Sequence, residues 1–313
     1  MYFPYLRGRQ SELIALRELV EKSALSERVI PIIEPVKLSS TLIKTIGRFS
    51  EKGKKLALII NPQVGSFHEE LENEDNTPLK EKFFAVVKSP FIIETHLFNA
   101  HSEQDLASMM EKGTRPDNII TICRNRDFVI KYGEIFTDIK PQFNLILDES
   151  VFRRRIKDNR VLLKDNFVKA ARNKDYADNI DEYFSDDHIY YEDDGYKGFA
   201  DYTVIGDEFT ESGFAPHAVA IHIVYFDEEK SLRIRHFVSD TNDDITDTAN
   251  KFAEAVSKLV KWNKWNKTNT IAMETFVRLY EDEKFPGLGI VKKLSIMHHI
   301  ELIGKYLDER KER

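Results

Sequence analysis

Six short, largely apolar runs recur before residue 165, at residues 29–33, 56–60, 91–93, 119–123, 145–147 and 161–163. Each is β-branched or leucine-rich and too short for a buried helix. A strand covered on both faces reads this way, because neither face needs polar residues. Between the runs lie segments with helical spacing. Residues 11–22 place Leu13, Leu16, Leu19 and Val20 on one stripe, and residues 41–49 and 103–112 are similar but shorter. Strand alternating with helix predicts βαβ units and a parallel sheet. Residues 2–6 read as a further strand, with Pro4 demoting its early part. An eighth strand falls either at 199–205 or at 218–226. A chain of 313 residues suits one α/β barrel. The expected fold class is therefore α/β, a (β/α)8 TIM-barrel-like architecture with an added β-hairpin and C-terminal helices.

Residues 173–216 break the rhythm with acidic clusters, tyrosines and scattered glycines. They read as a long excursion from the barrel, a lid over its mouth, because structureless loops of this length are uncommon unless functional. Residues 217–225 and 232–238 flank the polar connection Asp227-Glu228-Glu229-Lys230-Ser231, a hairpin with a longer loop. Helical spacing returns at 247–265, 272–280 and 291–310, with Phe285-Pro286-Gly287-Leu288-Gly289 as the turn before the last helix. The expected organisation is a barrel-like segment 1–240 and a helical segment 241–313 packed on it.

Lys and Arg (46) nearly balance Asp and Glu (53), for a net charge of −7. That balance argues against a nucleic-acid partner, which needs a positive face. The single cysteine, Cys123, lies in an apolar run, so intrachain disulfides and multi-cysteine zinc sites are excluded. No basic-then-apolar leader opens the chain, and no apolar run approaches membrane-spanning length. The expectation is a cytoplasmic protein with no membrane partner.

In a parallel barrel the chemistry lies at the C-terminal ends of the strands. Those ends read Arg7-Gly8-Arg9-Gln10, Glu34-Pro35, Asn61-Pro62, Glu94-Thr95-His96, Arg124-Asn125-Arg126, Asp148-Glu149 and Lys164-Asp165. Taken singly, each is an ordinary cap or solvated loop; together they make a constellation. One reading is anion binding. Arg7 and Arg9 flank a glycine just ahead of a helix, and guanidinium groups beside a helix N-terminus suit phosphate or carboxylate. Arg124 and Arg126 could add to this. The other reading is a divalent metal held by Glu34, Glu94, His96 and Asp148, since period two puts Glu94 and His96 on the same side of a strand. Lys164 is a weaker candidate, as a Schiff-base lysine paired more readily with Asp165. His222 and His236 read as cross-strand residues, and adjacent His298 and His299 cannot form the i, i+4 pair of a zinc helix. No P-loop, dinucleotide glycine fingerprint or nucleophile elbow is present.

The string Tyr5-Leu6-Arg7-Gly8-Arg9-Gln10-Ser11-Glu12-Leu13, followed by Pro31-Ile32-Ile33-Glu34-Pro35, resembles the bacterial and phage "beta protein" family. So do Arg172-Asn173-Lys174-Asp175-Tyr176, Ala218-Val219-Ala220-Ile221-His222 and His236-Phe237-Val238-Ser239-Asp240. The resemblance spans most of the chain. It implies a barrel-like α/β fold, an unassigned function and a mobile or defence-associated gene neighbourhood, and it transfers no catalytic residue.

The leading expectation is an enzyme-like barrel that binds a small anionic, phosphorylated ligand at the strand ends. Arg7 and Arg9 hold the anion, Glu34, Glu94 and Asp148 act as general base or metal ligands, and Asn61 and His96 orient the substrate. The alternative is a non-catalytic protein partner, one component of a phage-defence or toxin–antitoxin-like pair, docking through the hairpin and the C-terminal helices.

Overall fold

Eight parallel strands close into a barrel. They are β1 (Tyr2–Leu6), β2 (Ile32–Ile33), β3 (Leu56–Ile59), β4 (Ile92–Leu97), β5 (Ile120–Cys123), β6 (Phe143–Ile146), β7 (Arg160–Leu163) and, beyond β8 (Asp181–Ser185), β9 (Gly198–Asp201). Each strand pairs with its neighbour in parallel, and β9 closes the ring by placing Phe199 opposite Tyr2. The computed structural model describes residues 1–210 and 216–311.

The inward faces follow period two. Phe3 and Tyr5, Ile30 and Ile32, Ala57 and Ile59, Ile93 and Leu97, Ile120 and Ile122, Val161 and Leu163, and Ala200 and Tyr202 form one buried cluster. The residues between them, such as Ile33, Leu58 and Leu162, are buried too. Both faces are thus apolar, which is why the strands appear in sequence as continuous runs.

The connections carry α1 (Gln10–Glu21), α2 (Ser40–Glu51), α3 (Phe67–Glu72), α4 (Thr77–Val87), α5 (Ser102–Glu111), α6 (Arg126–Val129), α7 (Tyr132–Ile135), α8 (Ser150–Arg155) and α9 (Asp187–Tyr190). In α2 the Ser39 hydroxyl accepts the Leu42 N–H as N-cap, and Leu42, Ile43, Ile46 and Phe49 are buried at helical spacing.

The chain folds as two units. The first holds Met1–Leu13, Glu27–Lys164 and Asp187–Tyr202, which include the barrel strands. The second holds Ile14–Ser26, Asp165–Asp186 and Thr203–Arg313. In it β10 (Ala220–Phe226) and β11 (Leu232–Val238) form the expected antiparallel hairpin, closed by Asp227, whose carboxylate accepts the Glu229 and Ser231 N–H groups. The helices α10 (Thr248–Asn266), α11 (Ile271–Glu281) and α12 (Leu288–Lys311) follow. The hairpin therefore groups with the C-terminal helices and not with the barrel strands. The N-caps of α10 and α11 are Asp247 and Thr270, which accept the Asn250 and Met273 N–H groups. Much of α12 is buried, His298 and Glu301 included, so its sequence lacks a simple apolar stripe.

One open choice is resolved and one expectation changes. The eighth barrel strand is the 199–205 candidate, while the 218–226 candidate becomes β10. Residues 173–216 are not a structureless lid. They contain β8, which pairs antiparallel with β11, then α9, then the barrel strand β9 itself, with residues 211–215 outside the described residues.

Candidate functional site

Four strand ends bring side chains together at the C-terminal mouth of the barrel. On β1, the parity that points Phe3 and Tyr5 inward carries on to Arg7. On β2, Ile30 and Ile32 lead to Glu34; on β5, Ile120 and Ile122 lead to Arg124; on β9, Ala200 leads to Tyr202. Glu34 is fully buried and Arg7 is 6% exposed. The Arg7 guanidinium forms an ion pair with Glu34 Oε2, the Tyr5 hydroxyl donates to the same oxygen at 2.7 Å, and the Gln63 backbone N–H donates to Oε1 at 2.9 Å. Arg124 donates to the Tyr202 hydroxyl oxygen at 2.9 Å. Both guanidiniums lie over the Tyr5 ring, Arg7 at 5.2 Å and Arg124 at 5.9 Å from its centre, and the Tyr5 and Tyr202 rings are 4.9 Å apart.

The electrostatics follow from burial. Burial raises the Tyr5 phenol well above its ordinary value, and the Glu34 charge raises it further, so it stays a neutral donor. Burial alone would lower the Arg7 guanidinium. The oxygens of Tyr5, Glu34 and Tyr202 outweigh that effect and hold it above its ordinary value. Glu34 accepts three hydrogen bonds, which fix the positions of Arg7 and Tyr5 at the mouth.

Backbone conformation allows this approach at two glycines. Gly8, at φ +63°, directly follows Arg7, and a Cβ there would lie 3.1 Å from the Glu34 carbonyl oxygen. Gly65, at φ +74°, sits where a Cβ would lie 2.2 Å from the Val36 carbonyl oxygen. The β3–α3 loop thus lies directly against the chain after β2, which is how the Gln63 N–H reaches Glu34.

The remaining candidates go elsewhere. On β4 the inward residues are Ile93 and Leu97, so Glu94 and His96 share the opposite face, toward the helices. Glu94 accepts from the Thr114 hydroxyl at 3.0 Å. His96 is fully buried, with Nε2 2.9 Å from the Ser102 hydroxyl, which itself accepts the Asn99 N–H. Asn61 braces the end of β4 by donating to the Leu97 carbonyl and accepting the Leu97 N–H, both at 2.8 Å, and its amide is 3.5 Å from His96. Asn61 and His96 therefore meet each other, and both are engaged by neighbouring protein groups. Asp148 is 44% exposed, ion-paired with Arg153 and bonded to the Tyr196 hydroxyl. Arg9 precedes α1 and gives its backbone N–H to Glu12. Lys164 pairs with Asp187 at 2.7 Å. Glu34, Glu94, His96 and Asp148 do not converge, and among the described residues no cluster of three or more His, Cys, Asp or Glu could hold a metal ion. Of the expected set, the structure brings together Arg7 and Glu34, and it adds Tyr5, Tyr202 and Arg124. Counting by twos from the inward strand residues would have picked out all five.

His96 makes acid stability testable. Burial lowers it from 6.5 to about 4, against an opposing pull from Asp105. Between those values the unfolded chain binds more protons than the folded one. The stabilisation is therefore complete above pH 6.5 and is lost as pH falls toward 4. His298 behaves alike, lowered by burial to about 4, with Nε2 2.7 Å from the Val224 carbonyl. Each such depression corresponds to about 3 kcal/mol across the whole window. Urea midpoints should drop between pH 7 and pH 5, and less steeply in His96→Gln. A midpoint that stays level over this range would contradict the assignment.

No family model, no curated protein and no solved structure matches the chain.

Proposed function

We propose that the C-terminal mouth of the barrel binds a small anionic ligand, of phosphate or carboxylate type, gripped by Arg7 and Arg124. The observation that carries this reading is the convergence of two guanidiniums, from β1 and β5, over the single ring of Tyr5. Guanidiniums present planar, forked donors that match the oxygens of phosphate and carboxylate. Glu34 and Tyr202 orient the two arginines, and the barrel floor of Ile32, Ile59 and Ile122 keeps the site rigid. Strand ends at this mouth are where barrels of this kind place ligands.

The test is calorimetric titration with inorganic phosphate, a sugar phosphate and a nucleoside monophosphate. A hydrogen bond to a charged group is worth about 1.5–3 kcal/mol. Arg124→Ala, at a half-buried position, should therefore weaken the best of these ligands by roughly 10- to 100-fold while leaving the fold intact. Equal affinity in Arg124→Ala and the parent protein would remove the arginine pair from the reading.

A further inference from the structure

A second constellation lies in the other unit, independent of the barrel mouth. His222 on β10 and His236 on β11 stand directly opposite in the hairpin register, and their Nδ1 atoms are 2.7 Å apart. His236 Nε2 lies 3.0 Å from Glu182 Oε1 on β8. The other oxygen of Glu182 accepts from the Asn179 amide at 2.8 Å. Tyr176 packs 4.6 Å from both imidazole rings, and Phe167 meets His222 at 5.2 Å.

Hydrogen-bond directions fix the tautomers. A carboxylate only accepts, so His236 carries its proton on Nε2. Its Nδ1 is then a lone pair, and the short contact requires His222 to donate from Nδ1. The Nε2 of His222 is left as an acceptor, and it makes no hydrogen bond among the described residues. The half-buried His222 ring lines a cavity of about 230 Å³, together with Phe167, Tyr176, Lys169, Lys292 and Ser295. Two aromatic walls and an imidazole acceptor suit a flat ring bearing a hydroxyl.

We infer that this cavity binds a small planar ligand with a hydroxyl that donates a hydrogen bond to His222 Nε2, with His236 and Glu182 as the positioning residues that fix the His222 tautomer. Burial, and then the neighbouring ring, lower His222 to about 3, so the ring stays neutral and its Nε2 keeps a lone pair for the hydroxyl. Burial also lowers His236, in spite of Glu182.

The probe is p-nitrophenol, with p-nitroanisole as the analogue that lacks the proton. The parent protein should bind p-nitrophenol one to one at a pH where the probe is mostly phenol. p-Nitroanisole should bind about tenfold more weakly or worse. His222→Gln should weaken binding by about tenfold. Nitrogen-15 spectra of the parent protein, which need no variant, should show Nδ1–H on His222 and Nε2–H on His236. Equal binding of the two probes, no binding of either, or the opposite tautomer on His222 each overturns the inference.

Discussion

Gly65→Ala is expected to destabilise the protein by about 4 kcal/mol, among the largest effects of any single methyl group in this chain. Two costs add. At φ +74° an L-side chain pays about 1–2 kcal/mol for the left-handed backbone. The new Cβ would also lie 2.2 Å from the Val36 carbonyl oxygen and 2.8 Å from the Val36 Cα, both main-chain atoms that cannot rotate away. The loop must back off, which stretches the Ser66 N–H bond to the Val36 carbonyl and draws the Gln63 N–H from Glu34. Gly113→Ala is the control. It too has positive φ, at +95°, but a Cβ there meets nothing within 4 Å, so only the conformational cost applies. Urea unfolding of the two variants reads the collision as their difference. Equal losses would mean that the β3–α3 loop does not lie against Val36 as described.

The barrel was legible because burial on both faces leaves a plain signature, and the runs at 29–33, 56–60 and 119–123 all mark barrel strands. The last strand was not, and the reason is physical. β9 is only Gly198–Asp201, and Gly198 is forced by crowding, since a Cβ there would come within 2.7 Å of the Met1 carbonyl. β10 looks more like a strand in sequence, yet its burial alternates through residues 220–223, the mark of a sheet covered on one face. β8 escaped notice because Asp181-Glu182-Tyr183 is polar. Those residues are polar because they work across the sheet: Asp181 holds Arg233, Arg235 and the Tyr225 hydroxyl, and Glu182 meets His236. At the barrel mouth, strand ends alone offer every polar residue equally. Parity separates them, keeping Arg7, Glu34 and Arg124 and turning Glu94, His96 and Asp148 outward. Asn61 shows where parity runs out. It has the inward count from Ile59, but the Leu97 carbonyl and N–H at the end of β4 capture its amide.

Glu34→Ala should cost about 3–5 kcal/mol, because it breaks a buried ion pair from one side. The change takes the buried carboxylate from beside the Arg7 cation, which is 6% exposed, and removes the acceptor of the buried Tyr5 hydroxyl. The loss then measures what burying uncompensated groups costs and not the worth of the pair itself. The double variant Arg7→Met, Glu34→Leu separates the two. It removes both charges and fills similar volume, so it should recover most of the stability lost by Glu34→Ala. It should also lose inorganic phosphate binding, since one of the two guanidiniums is gone. Denaturation and calorimetry on the same three proteins therefore distinguish a pair kept for the fold from a pair kept for a ligand. A double variant that is stable and still binds phosphate as the parent does would leave the ion pair with a structural role only. A Glu34→Ala variant within about 1 kcal/mol of the parent would mean that the carboxylate is not the buried anchor of the barrel mouth.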